Sequence, residues 1–146
     1  MERVREIFPI FIINKECLTI FFNIVIEIFE TSKDKIIEIV NDQPQGQIFY
    51  QVYPQEFGVW IELFIPVDMM KDASLNNLTN LAVEINKRSG IELVISSVSL
   101  LTSEWVYINR NTECFLVYET EQSDEHIGKF ELDFDNKKRI MEDSPC

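Results

Sequence analysis

Glycine and basic side chains are scarce in this chain. Its 146 residues include four Gly, one His, and 13 Lys and Arg against 25 Asp and Glu. Four glycines could hardly supply a phosphate loop, and neither GxGxxG nor GxxxxGK occurs. One histidine and three scattered cysteines offer no spacing that suits zinc. Those cysteines, Cys17, Cys114 and Cys146, cannot all pair within the chain and none forms a CxxC. Reduced thiols in the cytoplasm are therefore expected. Few basic residues leave a net charge of −12 and a pI near 4.4. Nucleic acid is disfavoured as a partner, because phosphates need Lys and Arg to displace their counterions. An anionic membrane surface is disfavoured likewise.

Long hydrophobic runs are also missing. The N-terminal stretch IFPIFIINKECLTIFFNIVIEIF is broken by Pro9, Asn14, Lys15 and Glu16, leaving LTIFFNIVI as its longest uncharged apolar piece. That is well short of the ~20 residues needed to span a bilayer. It has no basic leader running to a small-residue cleavage site, so it reads as core.

What is present is ample apolar material, 46% hydrophobic and 12% aromatic with eleven Phe. At this length the expectation is one α+β domain over 1–146, with a short polar C-terminal tail. Residues 7–13 suit a strand and Asn14 a helix cap. Polar positions at 16, 19, 23, 27 and 30 have helical spacing, turning Cys17, Ile20, Phe21, Ile24, Val25 and Ile28 inward. The many β-branched and aromatic residues there argue for strand instead. Strands are expected at 36–40, 47–53 and 58–65, the last two joined by Pro54 to Gly58. A second helix is expected over 73–88, capped by Asp72 or Ser74, striped by Leu75, Leu78, Ala82 and Ile85, and stopped by Gly90. IELVIS, WVYINR, ECFLVYE and HIGKFELDF then read as strands of a largely antiparallel sheet.

The segment KFELDFDN, 129–136, alternates apolar and acidic residues. A tight turn at Arg110-Asn111 would set Tyr107 opposite Cys114 and Trp105 opposite Leu116. A hairpin centred near Ser123 would set Leu116 opposite Phe130 and Cys114 opposite Leu132. These registers place Trp105, Tyr107, Cys114, Leu116, Tyr118, Phe130, Leu132 and Phe134 on one core face. Glu113, Glu119, Glu131, Asp133 and Asp135 would share the other, beside Val106, Ile108, Phe115 and Val117. Residues 111–136 hold eight acidic side chains and one basic. Such a face suits a protein interface. It is equally the outcome of a helix covering the apolar part with carboxylates at its rim.

Catalytic and metal chemistry finds little support. Read as an EF-hand, DFDNKKRIMEDS puts Lys138 where Gly belongs and Ser144 where Glu belongs. His126 would lie on the order of 20 Å from Cys114 in the expected hairpin, too far for proton transfer. Paired carboxylates stay open, since an acidic chain offers many pairs. No metal, cofactor or catalytic residue is assigned.

From Leu78 to Ile108 the chain resembles small bacterial immunity proteins of contact-dependent and polymorphic toxin systems. The likeness lies in the amphipathic helix TNLAVEINKRSG, which leads directly into IELVIS, and in the later strand WVYIN. It implies a cytosolic, non-catalytic protein that neutralises one basic toxin domain, a nuclease for example. The order of elements and the acidity are also similar to type III secretion chaperones, which usually end in a helix that 135–146 is too short and polar to provide. The expectation is a basic protein partner held by Glu113, Glu119, Glu131, Asp133 and Asp135. The alternatives are a secretion-type chaperone and a small carboxylate-dependent hydrolase.

Overall fold

The computed structural model describes residues 5–39, 48–70, 75, 77–97, 104–124 and 129–140. Eight strands, β1 (Arg5–Ile12), β2 (Ile36–Glu38), β3 (Ile48–Pro54), β4 (Val59–Pro66), β5 (Leu93–Ser96), β6 (Glu104–Ile108), β7 (Cys114–Glu119) and β8 (Leu132–Arg139), form one sheet. Their order is β2-β3-β4-β1-β5-β6-β7-β8, antiparallel except between β2 and β3. With helices α1 (Leu18–Ile28) and α2 (Leu78–Ser89), the fold is α+β, as expected.

Strict alternation gives the sheet its two faces. Phe8, Ile10 and Ile12 of β1, and Val59, Ile61, Leu63 and Ile65 of β4, are buried in one cluster with Phe21, Val25 and Phe29 from the α1 segment and Leu81, Ala82 and Ile85 of α2. No helix among the described residues packs on the second face. That face carries a separate cluster of Phe11, Val94, Val117, Phe130 and Leu132, with Trp60, Trp105, Tyr107 and Phe134 packed against it.

The helix after Asn14 forms despite its strand-like composition. Asn14 accepts a hydrogen bond from the Glu16 backbone N–H (3.0 Å) and starts a short 3-10 turn, Lys15–Cys17, that continues into α1. Phe21, Val25 and Phe29, four apart, bury one stripe and override β propensity. Ile20, expected to face inward, is 49% exposed. It lies about 100° around the helix from Phe21, at the edge of the stripe.

α2 begins later than expected. Its cap is Asn77, whose side chain accepts from Thr79 N (2.8 Å) and Asn80 N (3.3 Å). Asp72 and Ser74 lie outside the described residues. Gly90, at φ 75°, ends the helix as expected, and its N–H reaches Asn86 O at 2.7 Å.

The last three strands correct both expected registers. Ile108, not Tyr107, lies opposite Cys114, and Trp105 lies opposite Val117. The loop holds one more residue than a two-residue turn. Asn109 N–H donates to Glu113 O (3.0 Å), the Asn109 side chain accepts from the N–H groups of Asn111 (3.0 Å) and Glu113 (2.9 Å), and Thr112 adopts φ 61°. A three-residue loop ending in a left-handed residue is a standard hairpin closure. No glycine marks it here. One residue of slip moves every side chain to the other face. Cys114 and Leu116 therefore join the helix-side core, while Trp105, Tyr107, Phe130, Leu132 and Phe134 belong to the second face.

The next hairpin shifts further. Leu132 sits opposite Glu119, and Asp133 opposite Tyr118. After a bulge Lys138 faces Leu116 and Arg139 faces Phe115. β8 thus starts later than HIGKFELDF suggests and continues through the basic KKR. The bridge Asp124–Lys129 closes this connection, and His126 lies outside the described residues. Cys17 is a free, half-buried thiol. Cys114 is buried, as expected, but disulfide-bonded, which departs from the expectation of reduced thiols. Cys146 lies outside the described residues.

Candidate binding cleft

The five carboxylates expected to form one wall do not share a face. Glu113 and Glu119 keep the parity of Phe115 and Val117 on the second face, whereas Asp133 pairs with Tyr118 on the helix side. Most also have partners within the chain. Glu113 accepts from Asn109 Nδ2 (2.9 Å) and pairs with Arg139, and these contacts, the first foremost, hold its carboxyl below the usual range. Glu119 accepts from Trp105 Nε1 (3.0 Å) and Ser123 Oγ (2.9 Å). Glu131 lies 3.9 Å from Lys129 Nζ. Asp133 accepts from Asn136 Nδ2 (2.6 Å) and from the N–H groups of Asp135 and Asn136, securing the chain at the bulge. Asp135 is exposed. The cost of alternating carboxylates is thus met largely by local hydrogen bonds and ion pairs.

The second face holds a different feature, a cleft of about 540 Å³. Tyr53, Gln55, Trp60 and Glu62, from β3, β4 and the turn between them, form one wall, with Trp105 and Ser96 opposite and Pro9 between. It sits where the sheet parts. β1 pairs with β4 along its whole length, but with β5 only at Phe11↔Val94 and Ile12↔Leu93. Continuing that register would set Pro9 against Ser96. Proline has no N–H for the ladder, and pairing has stopped there. Both parted residues line the cleft.

Aromatic packing shapes its walls. Trp60 and Trp105 are separated by β1 and β5, three strand spacings or about 14 Å. Their ring centroids nevertheless approach to 5.4 Å, because the indoles lean together over the intervening strands. Phe130, 2% exposed, closes the group at 5.1 Å from both and 4.9 Å from Phe11. The Glu119 hydrogen bond fixes the plane of Trp105. Beyond Phe130 a crevice of about 120 Å³ is lined mainly by apolar residues, among them Phe57, with Glu131 at its edge.

The one ionisable carboxyl in the cleft's described lining is Glu62. Burial, and next a hydrogen bond to Glu62, raise the Tyr53 hydroxyl above the ordinary phenol range. No lysine or arginine among the described residues forms an ion pair with Glu62. Gln55 Oε1 and Trp60 Nε1 are shut off from solvent without a hydrogen-bond partner among the described residues. Buried polar atoms of this kind are few in folded proteins and call for an explanation.

Sequence reasoning passed over this site, although a signal was present. In VWIELFIP, Glu62 interrupts an otherwise apolar strand and shares the parity of Trp60. Pro9 inside β1 was a second mark. Among the described residues no three His, Cys, Asp or Glu side chains converge as a metal site would need, and no helix is long and apolar enough to cross a membrane. Comparison with protein families, curated proteins and solved structures finds no match.

Proposed function

We propose that this chain is a non-enzymatic protein-binding module that holds a basic protein, as an immunity protein holds the toxin domain it neutralises. The observation that carries this reading is the second sheet face, with its aromatic cleft around Glu62, which has no ion pair among the described residues, in a chain of net charge −12. Aromatic anchors in a desolvated setting are what a partner grips, and the wider negative field draws a cationic protein in. Paired-carboxylate hydrolysis has less support, since it needs two carboxyls across the scissile bond and the cleft's described lining offers Glu62 alone.

The test is to co-express this chain with the protein encoded immediately upstream of it. The expected result is co-purification, relief of any growth arrest that protein causes, and association that slows as salt is raised. Failure to bind that protein, or binding with no salt dependence in its rate, would count against the proposal.

A further inference from the structure

We infer that the cleft lined by Trp60, Trp105 and Glu62 is a receptor for a single arginine side chain projecting from the partner. This deepens the reading above and rests on it. The polarity of the walls selects the ligand. Glu62, on an interior strand and without an ion pair among the described residues, supplies a formal negative charge. Ser96 Oγ adds a second acceptor, and Gln55 borders it. Two indoles and the Tyr53 ring add π faces. A guanidinium answers these together. It stacks on indole, is weakly hydrated, is always charged, and presents five donors in a planar fork to separated acceptors.

Other ligands fit less well. An anion would meet Glu62 with no cation among the described lining residues to offset it. A neutral sugar would stack on the indoles and leave the carboxylate's charge unanswered. A lysine ammonium satisfies the charge but is a compact point donor that cannot span both acceptors.

The probe experiment is direct because both tryptophans of the chain line the cleft. Intrinsic fluorescence of the full chain therefore reports occupancy without a label. Titrating N-acetylarginine amide should shift or quench the emission, and the citrulline analogue, equal in shape but uncharged, should bind about tenfold more weakly or worse. Glu62→Gln should lose about the same factor, since it keeps an acceptor for Tyr53 and removes the charge. Glu16→Gln, exposed beside α1, should bind like the unaltered chain. Equal responses to arginine and citrulline amides, a response only to a neutral glucoside, or none to either amide at millimolar concentration would each overturn the assignment. Trp105→Ala, checked for folding by circular dichroism, provides a second variant and should abolish the arginine response. These titrations need no partner, so they stand apart from the functional reading. If Glu62→Gln and Trp105→Ala both neutralised the partner at full potency, the function would stand and the cleft would not be its contact.

Discussion

At the scale of single residues, Asn86 makes the most consequential polar contact in the core. It is 1% exposed, its Nδ2 donates to Ile91 O and Asn109 O at 2.8 Å each, and its Oδ1 accepts from Thr112 Oγ1 at 2.7 Å. One side chain thus ties the end of α2 to the loop that sets the β6–β7 register. Asn86→Ala leaves these buried groups unanswered and should cost on the order of 3 kcal/mol. Urea unfolding should show this as a lower midpoint at unchanged slope, and an unshifted midpoint would mean that water replaces the amide at little cost. Gly58 is constrained as well, with φ 85° and a position where an added Cβ would fall 2.5 Å from Ile12 O. Neither role could be read from the sequence. Asn86 sat within a helical pattern whose polar positions are usually solvated, and its partners lie far along the chain.

At the scale of elements, the helical period of α1 was legible through polar spacing, but the centre of its buried stripe was not. A helix is indifferent to which neighbouring apolar residue faces the sheet until the sheet is in place. Two substitutions one residue apart test the observed rotation. Phe21→Ala should cost about 3–5 kcal/mol, as expected of a fully buried aromatic. Ile20→Gln should stay within about 0.5 kcal/mol, as at other surface sites. Equal losses in thermal or urea unfolding would mean that Ile20 is covered. Strand positions for β3, β4 and β5 were read within a residue or two, because their alternation is strict and turn residues bracket them. β6 to β8 were placed roughly and registered wrongly. Thr112 takes a left-handed conformation that glycine usually signals, and the bulge in β8 leaves no compositional mark.

At the scale of the whole molecule, the excess of acid works against the compact state. The ion pairs among the described residues, such as Arg88 with Glu27 and Glu84, are at least partly open to solvent, so each is worth little. General repulsion among the remaining carboxylates should outweigh them. Raising sodium chloride from about 0.02 to about 0.5 M shortens the screening length from roughly 20 to roughly 4 Å. The urea midpoint should therefore rise with salt. A fall would show that the ion pairs dominate.

The α+β class, the second helix, most strands, the apolar N-terminal segment as core and the surplus of negative charge were legible along the chain, while residues 16–30 read as helix or strand alike. Those properties depend on local periodicity and on totals, and both are carried by neighbouring residues. Tertiary structure alone decided that β1 lies in the middle of the sheet and parts from β5 at Pro9. It also decided that the expected acidic wall is divided between faces, and that two tryptophans 45 positions apart in the chain lean together in a cleft that Glu62 shares. Pairing between distant strands is set by loop lengths and bulges, and a single residue of slip exchanges the faces. Patterns along one strand hold no record of that slip.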